Sequence, residues 1–187
     1  LMNLANKTGG MVVGTGDLSE IALGWATYNG DHMSMYGVNC SIPKSLIRCL
    51  IEYTATISAP ALADVLRDVN ATPVSPELLP PSNDGKIDQK TEEILGPYDL
   101  HDFFLYHFIK YGAEPAKLKA LALHAFAGEY EEPLIESTLR MFLRRFFTQQ
   151  FKRTCVPDGP KVGTIALSPR GDWRMPTDVN GAIWQRS

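Results

Sequence analysis

The chain has few cysteines, little net charge and no long apolar run. Its three cysteines, Cys40, Cys49 and Cys155, are an odd number at spacings that match no zinc or redox motif. That count argues against a disulfide framework and favours free thiols, at least partly buried. A nucleophilic cysteine would need a histidine partner, and the four histidines form no recognisable triad pattern. We therefore do not expect catalysis by cysteine.

The charge balance is close to even. The 187 residues carry a formal net charge of -3, so the chain has no general attraction for nucleic acid or for anionic membrane. No apolar run reaches membrane-spanning length, and the start of the sequence has no basic leader followed by an apolar stretch. We expect a soluble, cytoplasmic protein that binds neither membrane nor nucleic acid. Any anionic ligand must then be held by a local cluster of groups.

The sequence predicts one α/β domain that is mostly helical. A β-branched run at 10–14 lies between glycines, and apolar residues at helical spacing follow over 18–25, which is typical of a strand, turn and helix in a parallel sheet. Few further strands are evident. Periodicity and start signals predict helices over 43–55, 61–69, 99–111, 115–128 and 134–151. Five prolines in 72–98 predict a long loop, which suits a lid and a plain surface loop equally well.

The segment 14–20 is the most informative for chemistry, because ligands of open α/β sheets gather where a strand passes into a helix. Its two glycines let a ligand approach the backbone, Thr15 offers a hydroxyl, and Glu20 offers a carboxylate that could meet a magnesium ion. On spacing alone, a helix capped by Asp17 or Ser19 with Glu20 as an ordinary first-turn acid is the favoured interpretation. Two later residues add to this pattern. Asp31 lies in a glycine turn, and Lys44 lies at a helix start, where phosphate is favoured.

Eight uncommon strings occur along the chain. They are Gly14-Thr15-Gly16-Asp17-Leu18-Ser19-Glu20, Gly30-Asp31-His32-Met33, Ile42-Pro43-Lys44, Gly96-Pro97-Tyr98, His101-Asp102-Phe103-Phe104, Phe142-Leu143-Arg144-Arg145-Phe146-Phe147, Gln150-Phe151-Lys152-Arg153 and Ser168-Pro169-Arg170-Gly171-Asp172-Trp173-Arg174. Together these strings resemble the synthetase domain of glutamine-dependent NAD synthetases. The resemblance covers nearly the whole chain, and its specificity comes from many uncommon strings in one order.

The resemblance implies a partial Rossmann-like fold of the ATP pyrophosphatase type, the adenine nucleotide alpha hydrolase-like class. Residues 1–187 would form the C-terminal half of a synthetase domain, without the N-terminal glutaminase domain and without the Ser-Gly-Gly-x-Asp-Ser phosphate-binding loop. The implied reaction is ATP-dependent amidation of nicotinic acid adenine dinucleotide to NAD through an acyl adenylate, with ammonia from glutamine. Mg²⁺ and a homo-oligomer are also implied. We expect the chain alone to be inactive.

The same resemblance assigns the metal and ATP contacts. Glu20 corresponds to the family's magnesium-binding glutamate, and Thr15, Lys44 and Ser75 correspond to residues near ATP. The segment 84–93 corresponds to a mobile loop that closes over the substrates.

The resemblance also assigns the substrate contacts. Asp31, Phe151 and Lys152 correspond to residues at the dinucleotide, and Asp31, Lys44 and Lys152 are the residues implied to act in catalysis. Asp31 would orient or deprotonate ammonia.

Three alternatives remain. Another ATP pyrophosphatase amidotransferase, such as a GMP or asparagine synthetase, is disfavoured by the strings around Asp31, His101 and Trp173. A noncatalytic dimerisation or interaction fragment would use the aromatic helices and an arginine-rich face. Single-stranded nucleic-acid binding is disfavoured because the phenylalanines have core spacing and the chain is acidic, so the arginines suit a solvated face or contacts to the dinucleotide or a partner. They are Arg140, Arg144, Arg145 and Arg153, with Lys152 beside them.

Overall fold

A computed structural model describes residues 1–72 and 91–185. In these ranges the chain forms mainly helices, joined to one pair of short strands. The helices are α1 (Met2–Thr8), α2 (Leu18–Leu23), α3 (Lys44–Thr56), α4 (Pro60–Ala71), α5 (Thr91–Leu95), α6 (Tyr98–Tyr111), α7 (Pro115–Ala125), α8 (Glu132–Thr148) and α9 (Gln150–Arg153); the strands are β1 (Val13–Gly14) and β2 (Tyr36–Gly37), and a 3₁₀ helix spans Ala182–Gln185.

The two strands are parallel, as the sequence predicted. Val13 lies opposite Tyr36 and Gly14 lies opposite Gly37, and α2 lies in the connection between the strands. The strand is shorter than the apolar run that predicted it, because only Val13 and Gly14 have a strand partner among the described residues. The predicted strand, turn and helix are confirmed, and the described part of the chain is a mostly helical α/β fold.

The core lies between α6 and α8. Phe104, Phe142 and Phe146 are fully buried there, and Trp173 packs its ring 5.3 Å from that of Phe146. The short helix α2 also packs into this core through Leu18, Ala22 and Leu23. The prediction that the phenylalanines form core is confirmed for Phe104, Phe142 and Phe146. This core holds α2, which carries the candidate site, against α6 and α8.

Several element bounds differ from the predictions. The helix predicted to run to residue 151 ends at Thr148, because Gln149 leaves helical geometry at φ -98° and ψ 13° before α9 begins. This turn directs Lys152 and Arg153 toward α2. The helix α1 was not predicted, and α5 lies inside the segment predicted as loop.

Two predictions fall on residues that the structure does not describe. Ser75 and most of the predicted closing loop 84–93 lie outside 1–72 and 91–185. In the part of the chain that is described, every helix is too short or too polar to cross a membrane.

Candidate active site

The start of α2 is fixed by a reciprocal pair of hydrogen bonds. Asp17 is the N-cap residue, and its Oδ1 accepts the Glu20 N–H at 2.9 Å, while Glu20 Oε2 accepts the Asp17 N–H at 3.1 Å. This capping box satisfies two backbone donors that the helix itself leaves free. The interpretation that Asp17 caps the helix is confirmed. Glu20 therefore has a structural role, whatever it binds in the cleft beside it.

Lys44 connects this capping box to the start of α3. Its Nζ lies 2.7 Å from Asp17 Oδ2 and 2.9 Å from Glu20 Oε1. The ammonium also lies 5.3 Å from the centre of the Tyr98 ring, which favours a cation near its face. The structure thus joins two motifs that the sequence separates by 24 residues.

Burial shifts the pKa values of the three ionisable side chains in this cluster, Asp17, Glu20 and Lys44. It raises the pKa of Asp17 and of Glu20, since a buried carboxylate loses hydration. Burial acts on Lys44 in the opposite direction, but the two neighbouring carboxylates outweigh it and raise the pKa of Lys44. Lys44 is therefore a cation at neutral pH, held between two acids.

A cleft of about 520 Å³, counted with its open mouth, lies beside α2. Glu20, Asp31 and Lys152 all line it, so the structure brings together three of the predicted residues. Gly14 and Gly16 line it too, but a side chain at Gly14 would collide with Ser34, with a Cβ only 2.3 Å from its Oγ. Gly14 is therefore required by packing, independently of any ligand.

Asp31 lies at the edge of this cleft in an exposed turn. Its Oδ2 accepts the Thr27 N–H at 2.6 Å, which fixes the carboxylate on the turn. His32, next to it, also lines the cleft, and burial lowers the pKa of His32. A neutral imidazole and a carboxylate thus stand side by side.

Lys152 lines the same cleft, and its ammonium donates two hydrogen bonds to backbone carbonyls. Its Nζ donates to Gly24 O at 2.9 Å and to Ala26 O at 2.6 Å. Burial lowers the pKa of Lys152, and the nearby Arg145 lowers it further. An ammonium has three donors, so one donor of Lys152 has no acceptor among residues 1–72 and 91–185.

The other predicted residues that the structure describes lie outside the cleft lining. Thr15 is exposed between two lining glycines, and Phe151 is exposed with its ring 5.7 Å from that of Tyr28. Lys44 does not line the cleft, but its ammonium lies 2.9 Å from the carboxylate of Glu20, which does.

Two of the arginines that the sequence assigned either to a solvated face or to contacts with the dinucleotide or a partner have other contacts. Arg153 is 1% exposed and donates to Ala22 O at 2.7 Å, and Arg145 donates to Leu23 O at 2.8 Å. Both satisfy carbonyls at the C-terminal end of α2, where a cation is favoured. The solvated-face interpretation is therefore wrong for Arg145 and Arg153. Nothing local in the sequence distinguishes them from Arg144, which is exposed.

Comparison with known proteins identifies the family. The NAD synthase family profile matches residues 1–138. The chain is 41% identical to the glutamine-dependent NAD(+) synthetase of Mycobacterium leprae (strain TN) over 205 aligned positions, which cover 98% of this chain and 30% of that protein. It is 29% identical to the enzyme of the same name from Acinetobacter baylyi, over 90% of this chain and 27% of that protein.

One solved structure shares the fold. The glutamine-dependent NAD(+) synthetase from Cytophaga hutchinsonii superposes with a TM-score of 0.73 over 98% of this chain and 27% of that chain, at 18% identity. The chain spans about 30% of the length of the curated relatives it matches first. On the match of the family profile to residues 1–138, the chain belongs to the NAD synthase family.

Proposed function

We propose that residues 1–187 form the C-terminal half of the synthetase domain of a glutamine-dependent NAD synthetase. The reaction is amidation of nicotinic acid adenine dinucleotide to NAD, driven by ATP through an acyl adenylate, with ammonia from glutamine. The proposal includes a Rossmann-like ATP pyrophosphatase fold, completed by the rest of the polypeptide. A glutaminase domain and a phosphate-binding loop would come from the same source. The observation that carries the proposal is the gathering of Glu20, Asp31 and Lys152 on one cleft.

Lys44 and Glu20 form the ATP side of the proposed site. The Lys44 ammonium is preorganised by two carboxylates, so it can contact a phosphate oxygen without first losing the entropy of a free side chain. Thr15 lies on the segment between the two glycines and offers its hydroxyl to the nucleotide. Ser75 is proposed for the same contact from the resemblance alone.

Magnesium fits this site only as an ion shared with the substrate. Within 1–72 and 91–185, no group of three histidine, cysteine or acidic side chains could hold a metal. Glu20 offers one carboxylate at the cleft, and Mg²⁺ is commonly bound by one or two carboxylates together with substrate phosphates. When bound, the ion would offset the charge of the triphosphate.

Asp31, Lys152 and Phe151 form the dinucleotide side of the proposed site. Asp31 is held by the Thr27 N–H and faces the same cleft as Lys152, so it can orient ammonia or accept its proton beside the activated carboxylate. Lys152 has one donor that meets no acceptor in the described part of the chain and can reach the dinucleotide, and the exposed ring of Phe151 offers a stacking surface.

A homo-oligomer is part of the proposal, supported by an apolar face on α3 and α4. Its side chains are between 44% and 68% exposed, and patches of this kind mark association surfaces. They are Leu46, Leu50, Tyr53, Ile57, Leu62, Val65 and Val69. The same face would serve a noncatalytic interaction fragment, which is the second candidate.

The two candidates are separated by assaying NAD formation from nicotinic acid adenine dinucleotide, Mg-ATP and ammonium. The chain is assayed alone and again with the part of the M. leprae relative that it does not cover. We expect turnover only in the second case. No turnover in either case, with both parts folded and associated, would favour the noncatalytic fragment.

A further inference from the structure

The helix α3 begins without a cap of its own. Its N-cap residue is Pro43, which supplies no side-chain acceptor, so the N–H groups of Lys44 and Ser45 need partners elsewhere. Lys44 is the first residue of this helix, and the position of its backbone determines where its ammonium can reach. Whatever binds these two N–H groups therefore also fixes Lys44.

The partners come from α2 and α6. Ser19 Oγ accepts the Lys44 N–H at 2.8 Å. Asp102 Oδ2 accepts the Ser45 N–H at 2.9 Å and the Ser45 hydroxyl at 2.6 Å. The Ser19 hydroxyl donates to the other oxygen of the same carboxylate, Asp102 Oδ1. One carboxylate on α6 thus holds the first turn of α2 and the first turn of α3 together.

Asp102 is well suited to hold this position. Its side chain accepts three hydrogen bonds and is only 8% exposed, so water does not compete strongly with the serines. A carboxylate beside the N-terminus of a 13-residue helix is also favoured by the helix dipole. Asp102 does not line the cleft, so it acts through other residues.

We propose that Asp102 is a positioning residue for the reaction, because it sets the distance between Lys44 on α3 and Glu20 on α2. The inference rests on the proposed function for its effect on turnover, and on geometry alone for its effect on α3. Without the carboxylate, the starts of the two helices lose their common anchor. The Lys44 ammonium would then move relative to Glu20 and to the phosphates.

The test compares Asp102→Ala, Asp102→Asn and the control Asp99→Ala, which removes the acid in the first turn of the same helix, α6. Each substitution is made in the original chain and in a Lys44→Met background. The kcat/KM for Mg-ATP is then measured by NAD formation, with the part of the M. leprae relative that the chain does not cover added to the assay. We expect Asp102→Ala to lower kcat/KM about 100-fold with Lys44 present and less than about 3-fold without it. Asp102→Asn keeps one acceptor oxygen, so its kcat/KM should be about tenfold higher than that of Asp102→Ala.

A merely structural role gives a different result, since it would lower kcat/KM by the same factor in both backgrounds. That outcome would overturn the proposal. If Asp102→Ala does not fold, Asp102→Asn is compared with and without Lys44 instead. An equal loss of kcat/KM in the two backgrounds would again overturn the proposal.

Hydrogen exchange of the Lys44 and Ser45 amides distinguishes failure of this proposal from failure of the proposed function. We expect exchange at least about tenfold faster in Asp102→Ala and unchanged in Asp99→Ala. If the original chain forms no NAD even with the uncovered part of the M. leprae relative added, the proposed function fails. Faster exchange of the two amides in Asp102→Ala would still support the anchoring role of Asp102. Unchanged exchange at both amides would overturn it.

Discussion

The Nζ of Lys44 lies 2.9 Å from Oε1 of Glu20, which joins the start of α3 to the first turn of α2. The Lys44 side chain is 15% exposed and that of Glu20 is 25% exposed, so this ion pair is largely shielded from water. Asp17 completes the cluster from the N-cap position of α2. Glu20 is therefore held in place before any ligand arrives, and in the proposed site this preorganisation would favour transition-state binding.

Removal of Lys44 should affect both turnover and stability. Lys44→Met leaves Asp17 and Glu20 without their cation, and we expect the unfolding free energy to fall by about 2–4 kcal/mol. We also expect kcat/KM for Mg-ATP to fall at least about 100-fold. Urea unfolding and the NAD assay check the two effects. Lys7→Met on the exposed surface of α1 is the control and should change neither.

Asp31 should matter for turnover and little for stability. Asn at this position can still accept the Thr27 N–H, and the side chain is exposed, so we expect a change in unfolding free energy within about 0.5 kcal/mol. Loss of the negative charge should lower kcat by about 10²-fold to 10⁴-fold if Asp31 orients or deprotonates ammonia. Steady-state kinetics at saturating ammonium measure this. An Asp31→Asn variant with full turnover would contradict the role.

Arg153 should contribute to stability far more than its exposed neighbour. Arg153→Leu leaves the carbonyls of Ala22 and Phe146 without their donor inside the core, which should cost about 2–4 kcal/mol. The matched change Arg144→Leu removes an exposed guanidinium and should cost less than about 0.5 kcal/mol. Denaturant unfolding of both variants gives the comparison. Equal effects would mean that the carbonyl contacts at the end of α2 add no net stability.

Burial of His101 should make stability depend on pH. The side chain is 1% exposed, its Nε2–H donates to Leu95 O, and burial lowers the pKa of His101 to about 4. The unfolded chain, with a histidine pKa near 6.5, binds a proton in the range between these values and the folded chain does not. Stability contributed by His101 is therefore present above about pH 6.5 and lost as the pH falls toward about 4, by up to about 3 kcal/mol.

The measurement is the difference in unfolding free energy between the original chain and His101→Gln at several pH values, which cancels the contribution of other groups. We expect this difference to change between about pH 6.5 and about pH 4.

The apolar face of α3 and α4 should control association. Val65→Lys adds a charge to the middle of this face and should lower the average mass seen by light scattering, with an unfolding free energy changed by less than about 0.5 kcal/mol. Asp64→Lys adds positive charge on the same helix without removing an apolar side chain and should leave the mass unchanged. If the original chain, Val65→Lys and Asp64→Lys all have the same average mass, this face does not mediate self-association.

The sequence by itself determined the local structure and the family. Helical spacing of apolar residues gave the core face of α8, and the glycine-bounded run gave the strand before α2, because these patterns depend on neighbours within a few turns. Uncommon strings in one order gave the resemblance to NAD synthetases, which the family profile confirms. Asp17 was also one of the two N-cap residues predicted for α2, since capping depends on residues within one turn.

Only the tertiary structure decided which distant groups meet. Asp102 accepts the N–H of Ser45, which lies 57 residues earlier in the first turn of α3, and Arg153 donates to a carbonyl 131 residues away at Ala22. No periodicity encodes such pairs, because they depend on how α2, α3, α6 and α9 pack. The same packing made Lys152 a donor to the backbone of the Gly24–Ala26 turn and left Arg144 in solvent. Residue type gave these groups their chemistry, but burial and long-range contacts decided which of them line a site and which hold it in place.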